Sequence, residues 1–314
     1  MKICLAGEGA FGNKHLDALS GIEGIEVVSL VGGVEEATRK VAAERGIGHW
    51  TLDLDEGLAQ EGVQAAILAT PTPLHASQAI QVLSAGKHVL VEIPMSDNLA
   101  DAEALAALQW ESGLVAMAGH VRRFNPSHQW IHQRIRSGDM AIQQMDVQTY
   151  FFRRSNLNAL GQPRSWTDHL LWHHACHTVD LFMYQTGEEV DECFSVQGPL
   201  HPELGIAMDM AIVMKSRSGV ICTLSLSFNN DGPLGTSFRY ICDNGTYQAR
   251  YDDLFDGNDK QIDVSSVDVS MNGIELIDRE FFAAIKEGRE PNGSIAQCLP
   301  AMRVLDRLEK QLRS

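Results

Sequence analysis

The stretch KICLAGEGAFGNKHLDAL, Lys2–Leu19, sets an apolar run against Gly7, Gly9 and Gly12 and continues with helical spacing around His15 to Ala18. A strand that enters a GxGxxG turn and leaves as a helix opens a dinucleotide-binding βαβ unit. The first glycine permits the tight turn, the second lets a pyrophosphate approach the backbone, and the third lets helix and strand pack closely. The helix N-terminus then offers N–H groups to phosphate. Ala10 and Phe11 complete the turn and count with the glycines as candidate cofactor contacts.

Outward from this turn the pattern alternates. IEVVSLV (25–31), VQAAILAT (63–70), HVLVE (88–92) and LVAMAGH (114–120) read as strands, with helical segments between them. Near-continuous apolar strands alternating with helices predict a doubly wound parallel sheet. Past residue 121 the pattern changes to longer alternating segments at 141–154, 206–216, 219–230 and 237–251, the last carrying the hairpin signal Asn244-Gly245. These predict an α+β domain with a large open, mostly antiparallel sheet. Two helical segments close the chain, and Pro300 is expected to interrupt the second. The expected domains are residues 1–121 for the dinucleotide and 122–314 for substrate and self-association.

With 25 basic against 41 acidic residues among 314, the formal charge is −16, which disfavours nucleic acid and anionic membrane as partners. No apolar run reaches the roughly 20 residues of a membrane span. Six scattered cysteines without CxxC spacing predict reduced, buried thiols and a cytoplasmic protein. An exposed face on the open sheet would favour a homo-oligomer, a dimer first.

The end of the second predicted strand bears on the cofactor. An NAD enzyme usually offers an acid about 20 residues past the glycines, to hold the ribose 2′-hydroxyl. Gly32 and Gly33 stand there instead, with Glu35, Glu36, Arg39 and Lys40 on the following helix. The reading favours NADP, with NAD tolerated.

WHHACHTVDLF (172–182) gathers three histidines before Asp180. A metal cage, a proton relay and a polar turn are the open readings. On an α-helix His169, His173 and His177 share one face, Asp180 lies a turn beyond, and His174 turns away. The cluster lacks the Glu of HExxH, so no metal is expected. Cys176 points away from His177 and reads as packing.

ILATPTPLHASQAIQVLSAGKHVLVEIP (67–94), GHVRRFNP (119–126) and the HxxD of His177–Asp180 resemble the signature blocks of the Gfo/Idh/MocA family of oxidoreductases. The resemblance implies that Thr70, Pro71, Thr72, His75, Glu92, Ile93, Pro94 and His120 adjoin the cofactor. It also implies that His177 takes the substrate's hydroxyl proton, with His173 and Asp180 assisting. Ile93 departs from the family's Glu-Lys-Pro, and without that lysine proton transfer must rest on other groups. Over essentially the whole chain, QQMDVQTYFFRRSNLNALGQPRSWTDHLLWHHACHTVDLF and LSLSFNNDGPLGTSFRYICDNGT are similar to the hemiacetal-oxidising enzymes of bacterial protocatechuate 4,5-cleavage. This implies a small dianionic substrate, the cyclic hemiacetal of 4-carboxy-2-hydroxymuconate-6-semialdehyde, oxidised to 2-pyrone-4,6-dicarboxylate with NADP. Arg122, Arg123, Arg153, Arg154 and Arg164 are the candidate carboxylate receptors, only one of Arg153 and Arg154 being expected to face the cleft. Trp166, Asp168 and His169 are further substrate candidates. A sugar or cyclitol dehydrogenase and a non-catalytic NADP sensor are the alternatives.

Overall fold

The computed structural model describes residues 1–157, 161, 163, 164, 166–267 and 273–313. The elements are, in chain order, β1 (Lys2–Ala6), α1 (Ala10–Leu19), β2 (Glu26–Val31), α2 (Glu35–Arg45), β3 (His49–Thr51), α3 (Leu54–Leu58), β4 (Val63–Leu68), α4 (His75–Ser84), β5 (His88–Val91), α5 (Leu99–Ser112) and β6 (Ala116–Ala118). There follow α6 (Pro126–Ser137), β7 (Ile142–Tyr150), a π-helical turn at Leu170–Ala175, α7 (Cys176–Thr186), β8 (Val190–Gln197), β9 (Asp209–Ser216), β10 (Ile221–Ser227), β11 (Gly235–Cys242), β12 (Gly245–Arg250), β13 (Asp253–Asp256), β14 (Gln261–Ile262), α8 (Gly273–Glu287) and α9 (Ile295–Leu312).

They form two compact units, Met1–Val121 with Asn272–Leu299, and Arg122–Met271 with Pro300–Ser314. The first holds a six-stranded sheet in the order β3-β2-β1-β4-β5-β6, with every pairing parallel. The strand order reverses between β1 and β4, and a ligand of such a sheet binds at the strand ends beside that switch point. The glycine turn lies there, directly after β1. Ile3, Leu5, Ala66, Ile67, Val89 and Leu90 are wholly buried, as apolar strands covered on both faces must be.

The second unit holds an eight-stranded sheet in the order β14-β13-β12-β11-β7-β10-β9-β8, antiparallel except for β7 with β10. One face is core: Met214, Cys222, Met145 and Tyr240 lie in register across it and are fully buried. On the other face Phe194 and Val213 sit opposite each other and exposed, with exposed Val196 two positions on. The hairpin signal holds with a one-residue offset, because Asp243 and Asn244 make the turn and Gly245 opens β12.

Two expectations need correction. Residues 122–314 do not form one unbroken domain: α8 returns to the first unit and packs on α1 and β5, and the backbone at Gly293 accepts a hydrogen bond from Ala118 N. Nor does Pro300 break α9. Ile295, Cys298, Met302, Leu305 and Leu308 form one buried stripe along it, and that burial outweighs the single backbone hydrogen bond the proline cannot donate.

Candidate active site

In the first unit the glycine turn is shaped by close approach. Gly7 has φ +115°, and a Cβ on Gly12 would lie 1.7 Å from the Gly7 carbonyl oxygen. A Cβ on Gly9 would meet nothing within 4 Å, so the need for glycine there lies outside the protein's own packing. Helix α1 starts at once, with no side-chain cap and no acid in its first turn. Its N-terminal N–H groups and the open cradle over Gly9 fit a pyrophosphate. Exposed Phe11 lies under the Lys14 ammonium. At the end of β2, Gly32 is fixed by packing, since a Cβ there would lie 1.8 Å from Thr38 Oγ1. Glu8, between the first two glycines, sends its carboxylate across to accept the N–H groups of Gly33 and Val34, each at 3.0 Å.

At the ends of β4 and β5 the expected cofactor contacts largely brace one another. His75 has both ring nitrogens on backbone oxygens, those of Pro94 at 2.8 Å and Thr70 at 2.7 Å. Thr70 donates its hydroxyl to Gln78, and Thr72 is buried in the short turn after Pro71. Glu92 turns inward, and its carboxylate meets His15 Nε2 at 3.0 Å and accepts Ile93 N–H. His15 Nδ1 meets Asp278 on α8 at 2.8 Å, so a buried imidazole bridges two carboxylates. Burial pulls its pKa down, but Asp278 and then Glu92 outweigh burial and raise it to about 10. The two carboxylates therefore favour the imidazolium form of His15. His120 is also buried.

In the second unit Arg153 and Arg164 converge on Asp168. Arg153 binds both carboxylate oxygens, with Nη2 at 2.6 Å from Oδ2, and Arg164 Nη2 lies 3.0 Å from Oδ1. His174 Nε2 lies 3.2 Å from Oδ2. Burial alone would raise the Asp168 carboxyl, but His174 and Arg153 hold it far below the usual carboxylate range. Two guanidiniums face one carboxylate, and Arg164 Nε is buried without a partner among the described residues. Arg153 rests over the ring of Phe228, 4.7 Å from its centroid. Arg154 points the other way, exposed over Phe152, as adjacent residues of an extended segment must.

The helix carrying the histidines is not α-helical throughout. Leu170–Ala175 is wound as a π-helix with His169 as its extended N-cap, a form that recurs at functional sites. The wider turn breaks the even four-residue spacing. His173 stacks on Trp166 at 5.3 Å and accepts His169 N–H at Nδ1, while His174 faces Asp168. His177 is half-buried in the first turn of α7. Asp180 is buried in a bidentate pair with Arg123, at 2.8 and 2.7 Å. Arg122 is buried over the Tyr251 ring at 4.7 Å. The structure thus brings Arg153, Arg164, Trp166, Asp168, His169 and His173 together and places Arg122 and Arg123 in ion and ring pairs of their own.

Residues 1–120 match the model of an oxidoreductase family with an NAD-binding Rossmann fold, and 126–268 that of a bacterial oxidoreductase C-terminal domain. The chain is 65% identical over 312 residues, 99% of each chain, to 4-carboxy-2-hydroxymuconate-6-semialdehyde dehydrogenase of Sphingobium sp. (strain NBRC 103272 / SYK-6). The chain belongs to the Gfo/Idh/MocA oxidoreductase family. Another member, myo-inositol 2-dehydrogenase of Thermotoga maritima, is 23% identical over 70% of this chain and 66% of its own. The Gfo/Idh/MocA fold is shared by the WlbA dehydrogenase of Bordetella pertussis, solved with NADH and UDP-GlcNAcA, at a TM-score of 0.86 and 21% identity over 100% of this chain and 95% of that one. It is shared too by a UDP-N-acetylglucosamine 3-dehydrogenase of Acidithiobacillus ferrooxidans, at 0.85 and 20% over 99% and 97%.

Sequence reasoning missed Glu8, His15, His174 and Asp278. His15 carried one available signal, a polar residue on the buried face of α1 one turn past Gly12. Asp278 carried none, because its partner is 263 residues away.

Proposed function

We propose that this dehydrogenase oxidises the cyclic hemiacetal of 4-carboxy-2-hydroxymuconate-6-semialdehyde to 2-pyrone-4,6-dicarboxylate, with NADP as acceptor and NAD tolerated. The observation that carries the substrate reading, beside the 65% identity to an enzyme of that name, is the net-positive cluster of Arg153 and Arg164 on Asp168. Arginine receives carboxylates through paired N–H groups, and a dianion suits a site with cation in excess. Bound nicotinamide supplies hydride acceptance. The oxidation breaks a C–H and an O–H bond and forms the lactone carbonyl, so the hydroxyl proton needs a base. We assign that base to His177, because Ile93 has no proton to exchange and imidazole suits general-base work near neutral pH. His173, held against Trp166 and His169, serves as relay or carboxylate donor, and Asp180 fixes α7 through Arg123.

Gly32 and Gly33 carry no acid of their own at the end of β2, which supports NADP, while the Glu8 carboxylate that reaches the Gly33 and Val34 N–H groups supports tolerance of NAD. All six cysteines are free and buried, which supports a cytoplasmic site of action. Among the described residues no helix is long and apolar enough to cross a membrane. Exposed Phe194, Val196 and Val213 on one sheet face support a dimer, which light scattering would test. Reduction of each cofactor is measured with the hemiacetal dianion, myo-inositol and a neutral lactol. Turnover of the dianion at least about 100-fold above the others is expected, and preference for the polyol would move the assignment to cyclitol oxidation.

A further inference from the structure

The acid missing from the end of β2 is supplied from elsewhere in the chain. Gly32 cannot carry one, because any Cβ there collides with Thr38 Oγ1 at 1.8 Å. Glu8 reaches the place instead. Asn13 Nδ2 donates to the Glu8 carbonyl at 3.0 Å and to that of Gly9 at 3.1 Å, which holds the turn. Beyond β2, Gly32 N–H is taken by the Thr51 carbonyl, and the Glu8 carboxylate takes the next two N–H groups, those of Gly33 and Val34. In this sheet that is where the adenosine ribose and its 2′-substituent are read.

We propose that Glu8 sets the choice between NAD and NADP. With NAD it stays on the two N–H groups and its second oxygen accepts the ribose 2′-hydroxyl. With NADP the 2′-phosphate takes the N–H pair and displaces the carboxylate, since two anions do not share two donors. Glu35 and Glu36 in the first turn of α2 oppose the phosphate further. The proposal rests on the dinucleotide reading above and is independent of the substrate.

Calorimetric titration with 5′-ADP and 2′,5′-ADP tests it on the wild type, Glu8→Gln and Glu8→Ala, without turnover. Glu8→Ala is expected to tighten 2′,5′-ADP and weaken 5′-ADP, shifting their ratio by about tenfold. Glu8→Gln removes the charge and keeps an acceptor, so it should tighten 2′,5′-ADP and leave 5′-ADP nearly unchanged. A ratio that stays within about twofold in both variants, or two ligands that weaken together, overturns the assignment and leaves Glu8 as a brace of the turn. Wild-type protein that binds neither ligand overturns it along with the dinucleotide site. Normal ligand discrimination with no hemiacetal oxidation removes the substrate reading and leaves Glu8 standing.

Discussion

Asp168 receives two guanidiniums and an imidazole, and its charge holds all three in place. Its carboxyl is depressed in the folded state, so its stabilisation is present above the ordinary carboxylate range near 3.9 and is lost as pH falls through the folded value. Asp168→Asn should therefore lower stability at pH 7 by about 3 kcal/mol and flatten the acid limb of Tm against pH. A wild-type acid limb retained in the variant would assign it to other carboxylates. His177 makes a kinetic prediction. His177→Ala should lower kcat by about 10²–10⁴-fold, leave the NADPH dissociation constant nearly unchanged, and abolish the acid limb of kcat/KM. A variant that keeps more than about a tenth of kcat with that limb intact would make His177 structural.

Among the elements, the glycine turn was legible because GxGxxG is a local pattern with a local cause. The π-helix was not: Leu170–Ala175 reads as an ordinary helical run, and no local pattern in it marks the wider i→i+5 winding. Edge strand β8 was invisible for another reason, because Phe194 and Val196 point to the exposed face and invert the alternation a half-buried strand should show. Two glycines separate backbone from side-chain constraint. Gly12→Ala sets a methyl against the Gly7 carbonyl and should cost about 3 kcal/mol or more, with no single rescue. Gly32→Ala sets one against the Thr38 side chain and should be largely rescued by Thr38→Ala. Urea denaturation of the two single variants and the double variant checks this, and an unrescued Gly32→Ala would contradict it.

For the whole molecule, the alternating first third and the change near residue 121 disclosed the two sheets, whereas the return of residues 272–299 was hidden because no local pattern records a long-range partner. The His15 bridge makes that return measurable. Its folded pKa lies above the ordinary imidazole value, so its contribution is full below about 6.5 and declines as pH rises toward 10. Tm should fall across that window, and His15→Gln should lower Tm below it and flatten the slope; an unchanged slope would remove the bridge from the account. The same bridge orders events on the ribosome. Asp278 is made 263 residues after His15, a delay of some tens of seconds at roughly 5–20 residues per second. The nucleotide domain is the first to be started, yet the nascent chain can close it only after all eight strands of the second sheet have emerged from the exit tunnel.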